Sequence, residues 1–239
     1  MGEYTRGQYL HVGEVSAKKR KIYSLIDKIW STVNLEQAFY AVKRNRGSYG
    51  VDNITIKEYE INLEHNLRVL QQSLKNKSYR TKPVRRVYIP KSDGTKRPLG
   101  IPTVEDRIVQ AAVKRKLEPI FEKKFLPCSY GFRPERSAHM AIEKIRKDLM
   151  DGYTYVIDAD IKTYFDSIPH EKLIAMVKEE VVDGSVLALI EQFLKSGVLE
   201  RGIYHESDNG SPQGGVISPL LANIYLHPLD EMMTQRGHR

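Results

Sequence analysis

Asp158-Ala159-Asp160 follows the apolar run Tyr155–Ile157, and the period of two in a strand sends both carboxylates out of one face at its end. Two carboxylates side by side repel each other unless a hard divalent cation lies against them. Mg²⁺ suits that place, because it takes oxygen ligands and keeps positions open for water and phosphate. The same spacing also marks strand ends, helix caps and sugar-nucleotide transferases, so alone it leaves the chemistry open. Lys91 and Arg97 flank the Asp93-Gly94 turn, with Arg85, Arg86 and Lys96 close by. Cations on both arms of a hairpin can grip a triphosphate or a strand backbone, the Arg fork being suited to bidentate phosphate contacts. They equally serve as charge that guards an edge hairpin against aggregation. Ser211-Pro212-Gln213-Gly214-Gly215 precedes an apolar helical pattern. Glycines there let backbone approach a ligand, and a helix start favours negative charge. No Lys follows the glycines as in a Walker loop, and a plain turn reads the same way. SYGFRP (129–134) carries aromatics and Arg133, which contact nucleic acid or pack a loop. His139, His170 and His205 lack metal-ligand spacing and read as surface or capping residues.

The elements around these residues follow from period and punctuation. Apolar spacing predicts helices across 22–42, with Asn34 as an N-cap of the second, and again across 56–76. RNRGSYGVD (44–52) is a Gly-rich loop. Residues 84–102 switch to period two around Asp93-Gly94, the strongest short-range hairpin signal. Helices are expected over 103–120 (N-cap Thr103), 137–150, 170–180, 185–196 and 219–235, with single strands at 153–161 and 198–205. Helices and strands mix without regular alternation, which favours α+β, helix-rich with short antiparallel sheets, or an irregular α/β fold over a doubly wound sheet.

The 239 residues are 41% apolar and 28% charged, the balance of a folded chain with a sizeable core. No apolar run approaches the ~18 residues of a membrane helix, so no membrane partner is expected. Cys128 is the only cysteine, which excludes an internal disulfide and a Cys-based zinc site and suits a reducing, cytoplasmic location. The net charge of +8 is unevenly spread: 31 Lys/Arg against 16 Asp/Glu over residues 1–150, and 7 against 14 over 151–239. A basic part joined to an acidic part suggests a polyanion held by one and cations by the other. KKRK (18–21) reads as a solvated basic run.

Taken in order, IPKSDGTKRPLGIPTVEDRIVQ, SYGFRP, DADIKTYFDSIPH and GSPQGGVISPLLANIYLHPLD resemble the reverse transcriptases encoded within group II introns. The resemblance spans about residues 30–237 and implies right-hand polymerase fingers plus part of a palm. It implies a division into an N-terminal extension (1–25), fingers (26–150) and partial palm (151–239). It makes Asp160 the first metal-binding aspartate, joined by the Ile161 carbonyl, with Mg²⁺ as cofactor. Phe165 matches the aromatic gate beneath the incoming sugar, and Lys91 and Arg97 the holders of the triphosphate. Gln213 and Gly214 match the loop beside the incoming nucleotide, Arg133 a template contact, and the 44–53 loop a template-covering segment. Asp158 and Asp166 are expected to be structural. The implied partners are an RNA template or intron RNA, a DNA primer and deoxynucleoside triphosphates.

Family members continue past a segment like QRGHR into a strand and turn carrying Tyr-Ala-Asp-Asp, and this sequence contains no Asp-Asp pair. The expectation is therefore a truncated chain that does not polymerise alone, and whose unpaired palm edge promotes self-association. A non-catalytic, maturase-like RNA-binding module is the competing reading.

Overall fold

The computed structural model describes residues 22, 24–92, 94–211 and 214–238. Four helices come first: α1 (Ile26–Ile29), α2 (Thr32–Asn45), α3 (Ile56–Ile61) and α4 (Leu63–Lys75). A hairpin, β1 (Val84–Pro90) and β2 (Lys96–Ile101), leads into α5 (Val104–Phe121) and α6 (Ala138–Met150). The short α7 (Tyr164–Ser167), α8 (His170–Lys178) and α9 (Gly184–Leu194) precede a second hairpin, β3 (Val198–Glu200) and β4 (Ile203–His205), and α10 (Ser218–Gln235).

Caps set the helix starts. Thr55 and Glu58 close a reciprocal capping box at α3, Thr103 accepts from Asp106 N at α5, and Ser137 accepts from Met140 N at α6. The expected cap Asn34 is instead an interior residue, because Ser31 caps α2. The Asn34 amide is buried and donates to the carbonyls of Ile29 (2.9 Å) and Ala112 (3.1 Å), tying α2 to α5.

Helix α5 is the axis of the core. Over residues 106–113 its side chains are buried all round it, while Arg115 and Pro119 further on are exposed. Val104, Ile108, Val109, Ala112, Val113, Leu117 and Phe121 share one buried cluster with Leu35, Phe39 and Val42 of α2, Leu173 and Val177 of α8, Ile190 of α9 and Leu221 of α10. One core cluster runs from Leu25 to Ile224, across the expected boundary at residue 150. The end of the expected extension 1–25 makes contacts of its own with the rest of the chain. Ile22 bridges Val181, and the Asp183 carboxylate accepts from the amides of Leu25 (2.8 Å) and Ile26 (2.9 Å), so the chain is already docked there. KKRK (18–21) lies outside the described residues.

The sheet has the order β2-β1-β3-β4 and is mixed rather than purely antiparallel, because β1 and β3 pair in parallel. The expected strand at 198–205 is two strands. Arg201 (φ 51°) and Gly202 (φ 83°) both take left-handed conformations, which makes the two-residue turn that matches strand twist. The expected strand at 153–161 is not formed. Tyr155, Val156 and Ile157 are 98%, 73% and 85% exposed, and the stretch has no ladder partner among the described residues. An unpaired strand leaves its backbone groups to water and gains nothing from its apolar side chains.

Candidate active site

The β1–β2 hairpin carries the cations. Its register sets Ile89 opposite Arg97, Val87 opposite Leu99 and Arg85 opposite Ile101. Side chains alternate along a strand, so Arg85, Leu99 and Arg97 share one face, while Arg86 lies on the other beside Tyr88. The structure therefore separates the neighbouring pair Arg85 and Arg86. Tyr88 donates to Glu200 (2.8 Å), which turns that second face towards β3. Lys91 closes the hairpin, its amide donating to Thr95 O (2.8 Å), and its side chain is exposed. Asp93 lies outside the described residues.

Arg85 is a clasp for the 46–50 loop. Its guanidinium donates to Tyr49 O (2.8 and 3.1 Å) and Ser48 Oγ (2.9 Å), and sits 4.4 Å from the Tyr49 ring centroid. From beneath, buried Arg107 donates to Ser48 O (2.7 Å) and to Arg46 O (3.5 Å). Burial holds the Arg107 pKa below the usual guanidinium value, opposed by the Asp52 charge. Gly50 lies against α5, where a Cβ would come within 2.6 Å of Thr103 Cα. The loop expected to cover template is thus fixed between hairpin and helix. Arg107 was not foreseen, because inside a helical pattern a buried arginine looks like a surface one.

Described residues after β4 contact both the Phe165 turn and the hairpin. At one end Ser211 N donates to Phe165 O (2.7 Å) and Gly210 N to Ile168 O (2.8 Å), while His170 Nε2 lies 2.6 Å from Gly210 O. His170 is buried, so the reading of it as a surface or capping residue is corrected. At the other end buried Gln110 accepts from Val216 N (2.8 Å), and Gly214 lies against Leu99 and the Gly100 carbonyl of β2. Of the expected nucleotide residues, this loop brings together Phe165, Gly214 and the strand face that bears Arg97. Gln213 lies outside the described residues.

Phe165 is half-buried, with its ring edge-to-face to Tyr164 (5.8 Å) and Phe132 (6.4 Å). Tyr164 fixes this group to α10 by donating to Ala222 O (2.6 Å), and burial raises its phenol pKa. Arg133, expected to meet template, is corrected to an interior strut. It pairs with Glu122 (2.6 Å), donates to the carbonyls of Leu126 and Ser129 (2.7 Å each), and lies over the Phe125 ring. With these partners and 8% exposure it has no reach to a nucleic acid.

Asp158, Asp160 and Ile161 lie on the exposed irregular stretch before the left-handed Thr163 (φ 52°). The expectation that a strand end aims both carboxylates from one face fails with the strand itself. The Asp160 carboxylate and Ile161 carbonyl are oxygen donors of the kind Mg²⁺ takes. Among the described residues, however, no group of three or more His, Cys, Asp or Glu gathers to hold a metal.

A family model described as reverse transcriptase (RNA-dependent DNA polymerase) matches residues 89–238. Protein YkfC of Escherichia coli is 39% identical over 222 residues, covering 90% of this chain and 58% of that protein. The group II intron-encoded protein LtrA of Lactococcus lactis subsp. cremoris is 46% identical over 173 residues, covering 72% of this chain and 29% of LtrA. A solved partial Cas6-RT-Cas1–Cas2 complex shares the fold at a TM-score of 0.60 and 24% identity, over 89% of this chain and 35% of its counterpart. The chain thus spans little more than half of one of these relatives and under a third of the other, and no described helix is long and apolar enough to cross a membrane. Strand β2, the end of β1, the Phe165 turn and the connecting loop fall inside the matched segment, and the chain, similar to a protein that a group II intron encodes, belongs to the reverse transcriptase (RNA-dependent DNA polymerase) family.

Proposed function

We propose that this chain forms the nucleotide- and template-holding part of an RNA-directed DNA polymerase, fingers over 26–150 and partial palm over 151–239. The observation that carries the reading is the pair of contacts at Ser211, whose amide donates to Phe165 O, and at Gly214, which lies against Leu99 on the hairpin face bearing Arg97. Arg97 and Lys91 hold the triphosphate, Phe165 crowds a 2′-hydroxyl, and Gln213 and Gly214 line the nucleotide. Arg85 shapes the loop at 46–50 that meets an RNA template, and Arg86 offers charge to nucleic acid from the opposite face. Asp160 and the Ile161 carbonyl supply part of a Mg²⁺ site. Bound there, Mg²⁺ would neutralise charge on the phosphates, and the chain's own residues bind and orient the nucleotide. The exposed Cys128 suits a reducing cytoplasm. Copies associate through the exposed apolar residues of 153–157.

The test is dTTP binding to the chain on an RNA template annealed to a DNA primer. Arg97→Ala should weaken binding by roughly tenfold, the loss of a charge-assisted phosphate contact. Equal binding by the two proteins would reject the assignment. A second reading, a maturase-like RNA-binding module, is favoured by the incomplete metal donor set. It predicts RNA binding with no response to added deoxynucleotide.

A further inference from the structure

Phe132 combines three features that a packing residue does not need together. Its φ is 56°, a left-handed conformation that is costly for a bulky side chain. Its side chain is large and apolar, yet 67% exposed. Its ring also stands edge-to-face on Phe165, with centroids 6.4 Å apart and planes at 88°.

The flanking residues explain how such a conformation persists. Arg133 binds the Leu126 and Ser129 carbonyls and Glu122, fixing the loop from its C-terminal side. Asn223 of α10 donates to Gly131 O (2.8 Å), fixing it from the other. Strained backbone survives where the surroundings over-determine it, and such places cluster at ligand sites. Here the anchors present an aromatic ring to solvent beside the proposed gate, at the cost of exposed apolar area and backbone strain.

We infer that Phe132 is a second specificity-determining residue for the sugar of the incoming nucleotide, forming with Phe165 a two-ring wall that admits deoxyribose and crowds ribose. This rests on the reading of Phe165 as the gate. The edge-on contact keeps the Phe165 ring from turning away, and the exposed side of Phe132 widens the barrier. Aromatic pairs of this geometry couple their orientations, so removing one ring loosens the other.

The experiment measures dATP and ATP affinities of the 239-residue chain on an RNA template with a dideoxy-terminated DNA primer and Mg²⁺. The variants are Phe132→Gly and Phe132→Tyr, each also followed by thermal melting. Wild type should prefer dATP. Phe132→Gly should cut that preference roughly tenfold, the scale on which a pocket sorts ligands by one small group. It should melt no lower than wild type, because glycine relieves the strain as the ring is lost. Phe132→Tyr keeps the ring and should keep the preference. If Phe132→Gly retains full preference, or melts well below wild type, Phe132 is a packing residue and the assignment is overturned. If wild type itself does not favour dATP, the gate reading fails, and this inference fails with it.

Discussion

Arg133 and Asp183 show how far a residue type constrains its role. Arg133 sits in a motif with aromatics and glycine, so its letter suggests nucleic acid, yet its donors are spent on Glu122 and two carbonyls. Removing one partner of such a buried, hydrogen-bonded pair is costly. Arg133→Ala should therefore destabilise the fold by about 3 kcal/mol in urea denaturation. A variant of unchanged stability with weakened RNA binding would restore the template role. Asp183 accepts four backbone N–H groups, two opening α9 and two from Leu25 and Ile26. Burial opposes its charge, but these donors outweigh it and hold the carboxyl below its ordinary value of 3.8. The native state therefore binds the proton less readily than the unfolded chain. The stabilisation is complete above about pH 3.8 and is lost as pH falls through the lower native value. Asp183→Asn should cost about 1–2 kcal/mol at neutral pH. That difference should shrink under strong acid, and a gap that stays constant from pH 7 to pH 2 would count against the assignment. Neither role was legible in the sequence, because both depend on partners at the far end of a long loop or a fold-level contact.

At the scale of elements, legibility followed the locality of the signal. The β1–β2 hairpin was read correctly because a two-residue period and an Asp-Gly turn are both local. The helices were read from spacing and caps for the same reason. The second hairpin was hidden by Arg201 in a place where Asn or Gly usually stands, and the 153–161 segment because a strand exists only with a neighbour. Of the site, the hairpin face, the Phe165 turn and the glycine loop were legible. The residues that hold them, His170, Gln110 and Arg107, were not. Gly210 tests the loop as a structural bridge. It has φ 85°, and a Cβ would meet Phe165 O and Asp166 Cα and O at 2.8 Å. Backbone atoms cannot give way as side-chain ends do, so Gly210→Ala should destabilise by about 2 kcal/mol or more. Because the strain falls on the Phe165 carbonyl, near-UV circular dichroism of the Tyr164–Phe165 cluster should change with it. An alanine variant with native stability and spectrum would show that the loop is not pinned there.

Across the whole molecule, charge and unpaired apolar surface pull in different directions. The net +15 of residues 1–150 favours a polyanion, so RNA affinity should fall steeply with salt. A salt-independent affinity would remove the electrostatic basis of the nucleic-acid reading. Meanwhile α6 buries none of its residues, leaving Ile142, Ile145 and Leu149 exposed, and Tyr155, Val156 and Ile157 follow it in equally open positions. Exposed apolar surface on this scale is rare on a free monomer, and a strand-forming segment with open hydrogen-bonding groups is a template for pairing. The 239 residues should therefore associate as concentration rises, and sedimentation velocity should show a weight-average mass above 27.5 kDa. Val156→Lys should reverse this, since a charge on the open segment discourages pairing. It should leave RNA binding intact, because the hairpin and the 46–50 loop lie elsewhere in the fold. If wild type sediments as a monomer at every concentration, the exposed segment is not an association surface. The same preparation should also fail to extend a primer with Mg²⁺, because a single placed carboxylate with one carbonyl does not enclose a metal pair. Extension by the monomer would show that the donor set is completed by residues beyond Asp160 and Ile161.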